Sequence, residues 1–122
     1  MKGALAPPMT DPTRAGTIAI VEDAIVGRFL RLLLQRQGYR VIVSDAGEAT
    51  DLLGASYCQV GLLITNRPEI FKQFGEQVAV LYLAAVPDPG LVRDFRRSRA
   101  LAKPFVPEEL LECVRELFAM AG

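Results

Sequence analysis

From residue 17 to the end of the chain, short apolar runs alternate with amphipathic stretches, and that alternation limits the folds open to it. Thr17-Ile18-Ala19-Ile20-Val21 is a β-branched run suited to a strand buried on both faces. Ile25, Phe29, Leu32, Leu33 and Leu34 then recur at helical spacing and predict a core-facing stripe, with Arg28, Arg31, Gln35 and Arg36 on the other side. Gly38 can take the left-handed backbone that closes such a helix. Residues 39–43 predict a second strand; Asp45 caps the next helix, with Glu48 in its first turn and Leu52 and Leu53 on its buried side. Residues 60–65, 78–83 and 99–102 predict the third, fourth and fifth strands. Pro107, followed by Glu108 and Glu109, opens a last helix whose apolar stripe is Leu110, Leu111, Val114, Leu117 and Phe118. Strands alternating with helices call for right-handed crossovers and a parallel sheet covered on both faces.

The connections after the third strand are tight. Seventeen residues separate Asn66 from Ala84 and must supply loop, helix and strand. A crossover with its helix takes at least about 10–12 residues, so the third helix is expected to be one or two turns within residues 68–75. Residues 88–99 predict a short, arginine-rich fourth helix. The expected architecture is α/β: a flavodoxin-like, doubly wound, five-stranded parallel sheet in the order 2-1-3-4-5, with a shortened third helix.

Composition excludes several classes. The 122 residues suit one domain, and the hydrophobic share of 51% against 23% charged is that of a folded chain. Fourteen basic residues balance fourteen acidic ones, so no global field draws the chain to nucleic acid or an anionic membrane. Cys58 and Cys113 form no spacing motif and there is no histidine, which argues against zinc and for two small thiols in a reducing cytoplasm. Residues 1–15, with three of the eight prolines and no apolar signal-peptide core, read as a flexible tail before a folded domain over residues 16–122. No run approaches the roughly 18 apolar residues of a membrane span, so a soluble, cytoplasmic protein is expected.

The polar residues that remain collect at strand ends. The first strand ends on Glu22 and Asp23, the third on Asn66, the fourth on Ala84 and the fifth on Lys103, before Pro104. Open parallel sheets do their ligand chemistry outside the carboxyl ends of the strands, near the switch in strand order. The expected order gathers Glu22, Asp23, Asn66 and Lys103 around one such crevice.

That layout resembles the receiver domain of two-component response regulators (CheY-like). The resemblance covers residues 17–120 and rests on Val21-Glu22-Asp23, Gly38-Tyr39, Gly61-Leu62-Leu63-Ile64-Thr65-Asn66 and Lys103-Pro104-Phe105, in that order. It implies a third strand ending on the aspartate that accepts a phosphoryl group, and a magnesium ion held by that aspartate and the acid pair. It also implies a lysine that contacts the phosphoryl group, a hydroxyl ending the fourth strand that carries the switch, and a cis Lys-Pro bond. Here Asn66 stands at the acceptor position and Ala84 at the switch position. An amide does not form an acyl phosphate. Losing one of three negative ligands leaves Glu22 and Asp23 to bind magnesium weakly or not at all. No catalytic residue and no cofactor are therefore expected, and the chain is read as a non-enzyme. Glu22 and Asp23 are expected to form a structural ion pair with Lys103, with Asn66 as a polar anchor for Lys103 or a strand-end group.

What remains is contact. Arg93, Arg96 and Arg97 fall on one face of the predicted fourth helix, and Val86, Leu91 and Phe95 offer an apolar surface beside them. The leading expectation is a stand-alone, degenerate receiver in phosphorelay signalling that acts by protein–protein interaction without being phosphorylated. Its partner would be a histidine kinase, another regulator, or a second copy through the fourth helix, fifth strand and last helix. Without aromatic residues among the arginines, nucleic acid is not expected, nor is a membrane. Two alternatives are a magnesium-dependent phosphoacceptor using altered chemistry, and a small-molecule-binding module in the strand-end crevice.

Overall fold

The computed structural model describes residues 16–55 and 58–120; the tail expected over residues 1–15 lies outside them. The strands are β1 (Thr17–Val21), β2 (Arg40–Val43), β3 (Leu62–Thr65), β4 (Ala79–Ala84) and β5 (Ser98–Ala102). The helices are α1 (Ala24–Arg36), α2 (Ala46–Gly54) and α3 (Pro107–Ala119). All five strands are parallel, in the order β2-β1-β3-β4-β5. This is the flavodoxin-like arrangement expected from the sequence.

Alternation along the inner strands sends side chains to two cores. On one face Ile18, Ile20, Leu62, Ile64, Leu81 and Leu83 pack against Leu30 and Leu34 of α1 and Leu110, Val114 and Leu117 of α3. On the other, Ala19, Leu63, Val80 and Tyr82 pack against Ala49 and Leu53 of α2 and against Phe71, Phe74, Val92 and Phe95. The edge strand β2 is mostly exposed.

Local sequence explains where the helices start and stop. Asp23 caps α1, accepting from the Val26 N–H at 3.0 Å. Gly38 follows α1 with φ +95°, a conformation that L side chains rarely adopt. Asp45 and Glu48 exchange side-chain and backbone bonds of 2.8 and 3.0 Å in a reciprocal cap on α2.

Two expectations about helices need correction. The stripe read from Ile25, Phe29 and Leu32 does not face the core: these residues are 82%, 45% and 53% exposed, while Gly27, Leu30 and Leu34 are buried. The helix carries apolar residues on more than one side, and the sheet took the side with Leu30. The arginine-rich fourth helix over residues 88–99 does not form either; only a 3₁₀ turn at Pro89–Val92 is present there. Pro87 and Pro89 remove backbone donors within three residues, and Asp88 bonds the Gly90 N–H at 3.0 Å instead of extending a helix.

The third crossover is short, as its length required: a 3₁₀ segment over Pro68–Phe74, kinked at Phe71. The two helix-poor connections pack directly on each other. The Arg96 N–H donates to the Gly75 carbonyl at 3.1 Å, and a Cβ added at Gly75 would overlap the Asp94 carbonyl.

Candidate functional site

The register sets what the carboxyl edge of the sheet can bring together. Val21 pairs with Thr65, so Glu22 and Asn66 follow side by side on β1 and β3. Ala84 pairs with Ala102, and the Lys103 N–H donates to the Ala84 carbonyl at 2.8 Å. Lys103 thus leaves β5 just beyond the end of β4. The Lys103–Pro104 peptide is cis.

Lys103 reaches across the strand ends to Glu22. Its ammonium donates to Oε1 at 3.2 Å and lies 3.1 Å from Oε2, which accepts no hydrogen bond but is within the ion pair. The Glu22 side chain is fully buried and that of Lys103 is 26% exposed. β1 and β5 are separated by β3 and β4, three strand spacings or about 14 Å. The pair is therefore a bridge over the ends of the two middle strands. Two opposite charges neutralise each other there, in a place where an unpaired buried charge would be costly.

The other members of the expected cluster are engaged differently. Asp23 is exposed and its Oδ1 is used in capping α1. Asn66 was expected to anchor Lys103 or a strand-end group; its amide is exposed and makes no hydrogen bond to another described residue. The neighbouring Thr65 does that work, with a fully buried side chain whose Oγ1 accepts from the Arg67 N–H at 3.0 Å. Arg67 in turn pairs with Glu69 at 2.9 Å. Ala84 is half-buried and offers only a methyl group.

The expected partner surface is also rearranged. Phe95 is 5% exposed and belongs to the core, Leu91 packs against that core, and only Val86 of the apolar set stands clear, at 86% exposure. Arg93 donates to the Gly90 carbonyl at 3.3 Å, Arg96 lies 3.7 Å from Glu76, and Arg97 donates to the Leu117 carbonyl at 3.4 Å. The helix expected to align the three arginines is absent, and Arg96 and Arg97 line a shallow pocket with Glu76 and Met120. Sequence reading missed the exposed stripe on α1, although Val26, Gly27 and Leu30 were there to show that a second side of that helix was also apolar.

Solved structures of receivers and response regulators share this architecture. A two-component response regulator from Clostridium difficile superposes with a TM-score of 0.72 at 14% identity, over 87% of this chain and 98% of the other. A response regulator from Chloroflexus aurantiacus gives 0.69 at 24% identity, over 85% of this chain and 98% of the other. The chain has the receiver fold. A third receiver, from a Pseudomonas aeruginosa sensor histidine kinase, carries a magnesium ion coordinated in its active-site cleft; it gives 0.66 at 21% identity, over 85% and 98% of the two chains. No protein-family model matches the sequence, and neither does any curated protein.

The residues of this receiver fold do not fit such an ion. Glu22 is committed to Lys103, Asp23 to the α1 terminus, and position 66 supplies a neutral amide. A hard divalent cation needs several oxygen ligands with net negative charge, and an ammonium 3.1 Å from Glu22 already supplies the positive charge that an ion would bring. Among the described residues no group of three or more acidic, cysteine or histidine side chains is disposed to hold a metal. No described helix is long and apolar enough to cross a membrane.

Proposed function

We propose that this chain is a receiver-fold signalling domain that works by holding a protein partner and takes no phosphoryl group itself. The observation that carries this reading is the buried Glu22–Lys103 bridge beside an amide at position 66. Phosphoryl transfer to a receiver needs a carboxylate nucleophile, a cation to balance phosphoryl charge, and a hydroxyl or similar donor to read the product. Asn66 removes the first, the bridge disfavours the second, and Ala84 lacks the third. The domain is then a scaffold held in one state, or switched by its partner, and not a catalyst of its own modification. Partners of the kind suited to this role are a histidine kinase, another regulator or a second copy. Cys58 and Cys113 are both free thiols, which supports a reducing, cytoplasmic setting.

The test is intact-mass spectrometry after incubation with acetyl phosphate and magnesium, beside Asn66→Asp and a phosphorylatable receiver. The native chain is expected to keep its mass while the control receiver gains a phosphoryl group. Asn66→Asp is expected to be modified poorly, because the Glu22–Lys103 bridge still holds the lysine and one acid. A phosphoryl-sized gain on the native chain would refute the proposal.

A further inference from the structure

The exposed stripe on α1 has a counterpart of opposite charge on the same side of the molecule. α1 and α3 pack on one face of the sheet. Each follows a strand of a parallel sheet, so the two helices run in the same direction, and the Tyr39 and Phe118 rings stack at 5.4 Å where their carboxyl ends meet. Ile25, Phe29 and Leu32 stand out from α1 at spacings of four and three residues, a seam that a facing helix can cover.

At about 100° per residue, this seam lies opposite the buried Gly27, Leu30 and Leu34, with Val26 and Leu33 about a quarter-turn away on one flank and Arg28 on the other. Gly27 is the position that faces Val43 of the edge strand β2. The seam is therefore on the outer side of α1, on the same face of the sheet as α3. On α3, Leu111 and Phe118 line the near flank and are half-buried, with Glu108 and Glu112 further out.

Charge divides this two-helix face. α1 carries Arg28, Arg31 and Arg36 and no acidic residue; α3 carries Glu108, Glu109, Glu112 and Glu116 against Arg115 alone. Arg115 pairs with Glu112 at 2.8 Å and Glu116 with Arg99 at 3.1 Å, which leaves Glu108 and Glu109 without an ion-pair partner among the described residues. A twofold axis perpendicular to the helices would lay α1 on α1 and set arginine against arginine. An axis parallel to the helices lays α1 on the partner's α3 and α3 on the partner's α1. Both contacts then pair basic with acidic and cover the apolar seam twice. The chain's zero formal net charge puts no long-range repulsion in the way.

We propose that the α1–α3 face is a self-association surface, in which two copies of this chain pair about a twofold axis parallel to these helices. The inference rests on the reading that the domain works by contact, and names the partner as a second copy. Stacking of Tyr39 on Phe118 sets α1 and α3 level, which places Arg28 near the height of the partner's Glu108. Two helices about 20 Å long make a face smaller than the roughly 800 Å² per partner of a standard interface. The dimer should accordingly be a concentration-dependent equilibrium.

Sedimentation equilibrium of the full chain over a concentration series tests this, with circular dichroism to verify that each variant folds. The native chain is expected to pass from monomer to dimer, and Ile25→Ser, at an exposed position, to weaken the dimer. Arg28→Glu and Glu108→Arg should each weaken it by about five- to tenfold, since each change acts twice and turns an attraction into a repulsion. The double reversal should restore it. A monomer at every soluble concentration, whatever other protein the seam then binds, overturns the proposal. So does a dimer indifferent to both single reversals. Neither result alters the expected mass after acetyl phosphate, so the two readings fail separately.

Discussion

Replacing Lys103 with methionine breaks the most buried ion pair among the described residues. The substitution keeps the side chain's length and apolar stem and removes the ammonium that neutralises Glu22. Breaking a buried pair from one side costs about 3–5 kcal/mol, because the remaining charge stays out of water without compensation. Glu22 is fully buried, but Lys103 is 26% exposed, so the bridge is partly wet and the lower end applies, about 3 kcal/mol. With a urea m-value of about 1.5 kcal/mol/M, the unfolding midpoint should fall by about 2 M at unchanged slope. Glu22→Gln should cost only about 1 kcal/mol, since a lysine at the rim can turn to solvent. The double variant should be less destabilised than the sum of the singles by about 2 kcal/mol, the coupling expected of groups in direct contact. Equilibrium urea denaturation followed by circular dichroism gives all three values. A shift below about 0.5 M for Lys103→Met, or additive singles, would show that the bridge is not the structural element described above.

Gly75→Ala is expected to destabilise the domain by about 2 kcal/mol or more, lowering the melting temperature by several degrees, because its Cβ would overlap the Asp94 backbone. Gly54→Ala, where an added Cβ meets nothing within 4 Å, is the matched control and should leave the melting temperature unchanged or higher. Burial first, and the neighbouring Glu116 carboxylate next, push the Cys113 thiol above its ordinary range. Its thiolate is therefore scarce at neutral pH. Iodoacetamide labelling read by peptide mass spectrometry should find Cys113 slower than a small-molecule thiol, with its rate still rising at alkaline pH where that thiol has levelled off. Labelling at the rate of the free thiol at neutral pH would contradict the assignment.

The β1, β3 and β4 strands were legible because both faces of each are buried, so their sequences are continuous apolar runs with nothing to compete with that reading. The pairing of Glu22 with Lys103 was legible as well, since strand order puts both at the carboxyl edge of the sheet, where their long side chains meet over the ends of β3 and β4. α1 was harder. Val26, Gly27, Leu30, Leu33 and Leu34 make one apolar side and Ile25, Phe29 and Leu32 another, and periodicity cannot say which one the sheet takes. Contact with Val43 and the β1 core decides it, which is tertiary information. The fourth crossover misled for a different reason. Arg93, Arg96 and Arg97 are spaced as on a helix, yet Pro87, Pro89 and the Asp88 turn govern the backbone there. Asn66 was identified correctly as the residue at the strand end, but its expected hydrogen bond belongs to Thr65, whose hydroxyl is closer to the turning backbone.

The close approach at Gly75 ties the lengths of two distant connections into one variable. The chain between β3 and β4 can be this short only because the chain between β4 and β5 comes in bare, without a helix to hold it off. A full helix grown into either connection would evict the other from its seat. In related sequences, then, long third and long fourth crossovers should appear together, and the glycine should be free to change only in those longer forms. Grafting a complete fourth helix into this chain without lengthening residues 67–77 should fail for the same reason.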